Sequence, residues 1–313
     1  MRILCTVTGA AAALVMTAGV ATAQECKPSK WGADDEIGAA NYVTPERVLA
    51  ATKLVKKGES HPLGIVIGPD TPAFPPRTLS LQIVQPGQQG GKPLAWGYDA
   101  TYNDDVAQLW FGIGPQIDGL GHLAENGMYY NCNDVKDFAA LTGLTKLGVD
   151  KIPPMVGRGV MIDMAKHRGK KHLDAGEAFN ADDIKAAATA QGVEILEGDV
   201  VLLHTGWTDG MLDSDPKAWG SGEPGITIDA AEYLASKNVM AVGADTWGVE
   251  VFPTKDKVFY GHVVLLRDNG IYILETMNTG RLAAEGVNEF MFVLGQARIK
   301  GTVQMIINPV AMW

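Results

Sequence analysis

Apolar and polar positions alternate along this chain in two ways. Short continuous apolar runs, "DVVLLHTGW" (199–207), "VMAVGADTW" (239–247), "YILET" (272–276) and "TVQMIINPV" (302–310), predict strands. Between them lie helices with readable ends. "TPERVLAATKLVKKG" opens at Thr44, with Pro45 at the first helical position, and closes at Gly58. "NADDIKAAATAQG" starts from Asn180, carries two acids in its first turn and stops at Gly192. "DAAEYLASKN" places Asp229 as cap with Glu232 three residues on, a capping-box arrangement. Strand and helix in alternation predict an α/β fold with a mixed sheet. The segment 60–115 is richer in Pro and Gly and predicts β-hairpins and loops over that sheet. No repeat, heptad or linker divides residues 24–313, which read as a single domain.

The first residues follow another grammar. "MRILCTVTGAAAALVMTAGVATA" has one early positive charge at Arg2, an apolar stretch and the small-residue triplet Ala21-Thr22-Ala23. That pattern predicts a signal peptide over 1–23, with Gln24 as the new N-terminus and a periplasmic or secreted product. The apolar stretch, interrupted by Thr and Gly, is short for a membrane span, so no membrane association is expected after cleavage.

Composition narrows the function classes. Of the 313 residues nearly half are apolar, enough for a substantial core, and the net charge is −10. Without clustered Lys and Arg, a nucleic-acid partner is excluded as an expectation. Beyond the signal peptide only Cys26 and Cys132 remain, too few for a disulfide scaffold or a thiolate zinc site. They read as structural, either paired or simply buried.

The chemistry concentrates in "GPQIDGLGH" (114–122). If "PQID" ends a strand, Gln116 and Asp118 share a face. Gly119 and Gly121 then allow a sharp turn with no Cβ near a ligand, which returns His122 to the same point. An amide, a carboxylate and an imidazole converging there would suit a divalent cation. Gly119-x-Gly121-x-x-Ala124 also fits a dinucleotide fingerprint, but "ENGMYYNCN" follows it and does not read as a helix, so that reading fails.

His262 and Glu275 bracket "VVLLRDNGIYIL". A hairpin through Asn269-Gly270 would put them on one face; a helix over 262–268 could also fold His262 back towards Glu275. His204 ends an apolar run and either lines a pocket or is a satisfied core histidine. Aromatic residues crowd these motifs in sequence, and Trp96, Tyr102, Trp110, Trp207 and Trp247 are expected to line a substrate pocket.

Taken together, "WGADDEIGAANYVTPERV", "YNDDV", "QIDGLGH", "GRGVMIDMA", "VLLHTGW", "VGADTWG" and "GHVVLLRDNGIYILET" resemble the cyclase family of metal-dependent hydrolases, which includes kynurenine formamidase and isatin hydrolase. The resemblance implies a swivelling β/β/α fold around a barrel-like mixed sheet, and it favours a helix for 262–268. It also implies a homo-oligomer, dimer or tetramer. Aligned on the family motif H-x-G-T-H-x-D-x-x-x-H, Asp118 takes the place of the metal-bridging carboxylate and His122 that of the catalytic histidine. Gln116 and Gly112 stand where two ligand histidines would be, while His262 and Glu275 match the downstream ligands. The implied cofactor is one divalent ion, Mn2+ or Zn2+, held by Asp118, His262 and Glu275, with Gln116 as a neutral oxygen ligand. The implied activity is hydrolysis of a small-molecule amide or lactam at a non-peptide C–N bond, with His122 as general acid–base. The alternatives are a binding protein that has lost its chemistry and a lyase or dehydratase on the same scaffold.

Overall fold

The computed structural model describes residues 26–313, so the expected signal peptide lies outside the described residues. Nine strands form its main sheet: β1 (Ser60–Pro62), β2 (Gln116–Asp118), β3 (Met155–Asp163), β4 (Val200–His204), β5 (Ala241–Ala244), β6 (Tyr272–Glu275), β7 (Glu289–Leu294), β8 (Gln304–Ile306) and β9 (Val310–Met312). Their order across the sheet is β1-β9-β7-β3-β4-β5-β6-β2-β8. The centre, β3 to β6, is parallel, and both flanks are antiparallel. The result is a mixed α/β fold around a large curled, half-barrel sheet.

The apolar runs lack alternation because the central strands are covered on both faces. Every residue of β4, β5 and β6 is buried. Helices α2 (Ala181–Gln191) and α3 (Ile228–Ser236) pack against each other, while α1 (Pro45–Thr52) lies against β3.

The helix ends follow local chemistry, with two revisions. Asn180 caps α2 through a full capping box with Asp183, and Gly192 ends it in the left-handed region at φ 70°. For α1, Thr44 caps as expected, but the helix stops at Thr52. The backbone N–H groups of Lys57 and Glu59 are instead captured by the Trp313 carbonyl. For α3, Thr227 and not Asp229 occupies the cap position. Asp229 accepts from the Thr227 hydroxyl and from the Ala181 amide, tying α3 to the start of α2.

Of the two readings for 262–268, the helical one is found. Tyr260–His262 runs into a π-helical turn, Val263–Arg267, and β6 then pairs in parallel with β5. A hairpin would have required an antiparallel partner. The segment 60–115 supplies β1 at the sheet edge and a hairpin of strands 79–84 and 104–109, exposed along most of its length. Cys26 and Cys132 form a disulfide, with Cα atoms 5.3 Å apart. Among the described residues no helix is long and apolar enough to cross a membrane.

Candidate metal centre and pocket

Strand pairing assembles the site. In β2, Gln116 and Asp118 point to one face and Ile117 to the other, where it is fully buried in the core. Antiparallel pairing sets Glu275 of β6 opposite Gln116, and Gln304 of β8 opposite Asp118. Leu274 and Met305, opposite Ile117, join the core. Four polar side chains from three strands thereby meet on one face.

Hydrogen bonds brace the carboxylates. Gln304 Nε2 donates to Asp118 Oδ1 at 2.6 Å, and Gln116 Nε2 donates to Glu275 Oε2 at 2.5 Å and to Asp118 Oδ1 at 3.3 Å. Asp118 Oδ2 is buried and accepts no hydrogen bond. It lies 3.4 Å from His262 Nε2 and 3.9 Å from His122 Nε2, and Glu275 Oε1 lies 3.3 Å from His262 Nε2.

His122 reaches this point by a tight turn in which its amide donates to the Gly119 carbonyl at 3.0 Å. The glycines at 119 and 121 also serve packing. A Cβ on Gly119 would stand 2.7 Å from the Val303 carbonyl oxygen, and one on Gly121 would stand 2.5 Å from Leu144 Cδ1. His262 is oriented by Glu250, whose carboxylate accepts from its backbone amide at 2.7 Å and from Nδ1 at 2.8 Å. With Nδ1 so engaged, Nε2 faces Asp118 and Glu275, the arrangement by which an outer carboxylate fixes a metal-binding imidazole.

Electrostatics follow from this crowding. Burial pushes the Glu275 carboxyl up, and the charge of Asp118 adds to it. Burial acts on Asp118 in the same sense, but His122, His262 and Gln304 outweigh it and hold that carboxyl low. Burial lowers His122 and keeps its imidazole neutral, with Asp118 opposing. For His262 burial is overcome by Glu250, Asp118 and Glu275, so its imidazole is pushed well up. The buried carboxylates thus call for positive charge at one point, from a proton on His262 or from a cation.

The residues fit one divalent ion. Ligand atoms of Asp118, His122 and His262 all lie within 4.8 Å of one another, and Glu275 stands beside them. A second ion on the side of Gly112 and Gln116 does not fit. Gly112 offers no side chain, Gln116 turns its NH2 group inward, and the Arg77 guanidinium occupies the space a side chain at 112 would need.

Above these groups lies a cavity of about 190 Å³, lined by Arg77, His122, His262 and Glu275 and by the rings of Phe74, Trp247 and Phe259. The Phe74, Trp247 and Phe259 centroids are 5.9 to 6.1 Å apart. An apolar cavity of about 150 Å³ accommodates a benzene ring.

Residues 60–251, more than half the chain, match the family model described as "Putative cyclase". The chain belongs to the cyclase family. A relative within reach of its sequence is the isatin hydrolase of Roseibium aggregatum, 31% identical over 134 residues. That match takes in 40% of this chain and 49% of the relative, so the chain spans about half the length of this curated relative. A crystal structure of a novel cyclase superposes with a TM-score of 0.83 at 29% identity, over 92% of this chain and all of the other. An isatin hydrolase bound to the product analogue thioisatinate shares the cyclase fold, with a TM-score of 0.60 at 22% identity over 86% and 98% of the two chains.

Against this cyclase site the sequence expectations divide. Asp118, His122, His262 and Glu275 come together. Gln116 is present and donates to both carboxylates, so its oxygen is not turned towards them. Of the five aromatics, only Trp247 lines the cavity. Trp96 and Tyr102 stack on each other at 5.7 Å out on the hairpin, and Trp110 is half exposed at the hairpin base. Trp207 is buried under Trp219, to whose carbonyl its indole donates. His204 is a core histidine bonded to Thr279. Glu250, Gln304 and Arg77 belong to the site and carry no local sequence signature.

Proposed function

We propose that this chain hydrolyses a small aromatic amide or lactam with the help of one divalent ion, Mn2+ or Zn2+. The observation that carries this reading is the buried, undonated Asp118 Oδ2 facing His262 Nε2 at the floor of an aromatic-walled cavity. The isatin hydrolase relative supports the hydrolase class. Asp118, His262 and Glu275 would hold the ion, which when bound supplies Lewis acidity at the cavity floor.

The chain's own groups do the rest. Glu250 fixes the tautomer and orientation of His262, and Gln116 and Gln304 hold the two carboxylates in place. His122, partly open to the cavity and kept neutral by burial, accepts a proton from water and returns it to the departing nitrogen. One C–N bond breaks as one C–O bond forms, leaving a carboxylate and an amine. Phe74, Trp247 and Phe259 form an apolar wall against which a flat ring packs.

Export to the periplasm or beyond is supported by the Cys26–Cys132 disulfide, which suits an oxidising compartment. Homo-oligomerisation is supported by exposed Leu81, Ile83, Trp96, Tyr98 and Val106 on the hairpin.

Metal analysis followed by assays on N-formyl anilines and lactams tests the reading. His122→Ala should keep metal and fold yet lose roughly 100- to 10,000-fold in turnover, while Asp118→Ala should lose the ion itself. No turnover by the parent protein supplied with manganese or zinc would make it a binder. An unchanged rate in metal-loaded His122→Ala would remove that residue from the chemistry.

A further inference from the structure

The space left by Gly112 is filled. A Cβ built on Gly112 would stand 2.5 Å from Arg77 Nη1, 2.7 Å from Arg77 Cζ and 2.8 Å from Gln304 Oε1. Any side chain at 112 would therefore displace the guanidinium. Arg77 precedes the first strand of the 79–109 hairpin and Gly112 follows the second, and Nη1 ties the two legs by donating to the Gly112 carbonyl at 2.6 Å. That is the one hydrogen bond the guanidinium makes among the described residues, and no carboxylate there lies within ion-pair distance of it. A part-buried guanidinium has five N–H donors, and Nη1 engages one of them. The remainder belong to a group that lines the cavity beside His122 and Glu275.

We propose that Arg77 is the anion-recognition residue of this pocket and that the substrate is an aromatic amide carrying a carboxylate. This rests on the reading of the cavity as a substrate site. The donor fork of a guanidinium matches a carboxylate in two parallel bonds, which a lysine or a bound water does not reproduce. Among the described residues that line the cavity, Arg77 is the one Lys or Arg and Glu275 the one carboxylate. With Arg77 in the space that Gly112 vacates, one edge of the cavity accepts negative charge while Phe74, Trp247 and Phe259 receive the ring. The missing side chain at 112 is thus what admits the cation.

Binding of benzoate and of benzamide, followed by calorimetry on the metal-replete protein, tests this independently of turnover. Benzoate should bind about tenfold or more tightly than benzamide. Arg77→Gln should abolish that preference and leave benzamide binding unchanged, whereas a purely structural Arg77 would weaken both ligands together. Gly112→Ala provides a second route, because its methyl group displaces the guanidinium without removing it; the preference should fall there too. Arg77→Lys should restore part of it. Equal binding of the two ligands by the parent protein, or a preference that survives in both Arg77→Gln and Gly112→Ala, would overturn the assignment. Failure to hydrolyse any amide would sink the hydrolase reading while leaving the benzoate preference intact.

Discussion

At the scale of single residues, His262 has two claims on one nitrogen. Glu250 engages Nδ1, so Nε2 takes either a proton or a metal ion between Asp118 and Glu275. The surrounding carboxylates push the imidazole well above its ordinary value, against the effect of burial, which favours its protonated form in the metal-free protein. Metal uptake should therefore release protons, from His262 and from the Glu275 carboxyl that burial and Asp118 push up to about 8. Calorimetric titration of the apo-protein in buffers of different ionisation enthalpy checks this, and affinity should weaken as pH falls. Uptake with no proton release would show that the ion does not bind His262. Spacing alone made two pairs legible, Asp118 with His122 and His262 with Glu275, because ionisable groups at the ends of apolar segments need partners; that the pairs share one site came from the family resemblance. Glu250, Gln304 and Arg77 were not legible, because each reaches the site from a distant stretch through pairing or packing that leaves no local mark. Gln116 faces the site and donates to Glu275 and Asp118, where the resemblance implies an oxygen ligand.

At the scale of elements, apolar runs gave β4, β5, β6 and β8 and end signals gave α1, α2 and α3, while neighbours decided where they stopped; β3 and β7 were not read from the sequence. The α1 helix shortens because the C-terminal carbonyl takes the backbone amides that a longer helix would have used. The 262–268 segment was ambiguous because an apolar run around a turn serves a hairpin or a helix equally well, and parallel pairing of β6 with β5 selected the helix. Nearness in sequence misplaced four aromatics, since the hairpin carries Trp96 and Tyr102 away from the cavity that Trp247 lines. Gly119 shows an element-level constraint concealed in a motif. Its amide donates to the Val303 carbonyl at 3.0 Å, so a Cβ there would press on that oxygen, which precedes β8 and has little freedom to retreat. Gly119→Ala should cost about 1–3 kcal/mol. A shift of the urea midpoint measures it, and a neutral result would mean that β8 slides freely against β2. Because Gln304 follows Val303, the same substitution should also loosen the brace on Asp118.

At the scale of the whole molecule, the N-terminal segment is held by more than its disulfide. Cys26 is bonded to Cys132, and the neighbouring Asn131 side chain donates to the carbonyls of Gly32, Ala33 and Asp35 while accepting from the Ser29 amide. Tyr130 donates its hydroxyl to Asp35 at 2.6 Å. This clasp lies on the side of β6 away from the metal centre: the Tyr272 hydroxyl donates to the Ile37 carbonyl, while Glu275 at the other end of the strand faces the carboxylates. The bond closes a loop with a sequence separation of 106, so in the unfolded chain it removes much conformational freedom. A Cys26→Ser, Cys132→Ser double variant should therefore lose roughly 2–4 kcal/mol of stability. The polar clasp should keep the segment docked in the native state, so metal content should stay that of the parent at temperatures where both are folded. Thermal or urea unfolding with and without reductant, beside metal analysis, separates the two effects. Equal stability of the oxidised and reduced forms would show that the clasp alone confines the segment. Loss of metal on reduction would mean that the N-terminal segment supports β6 and, through it, Glu275.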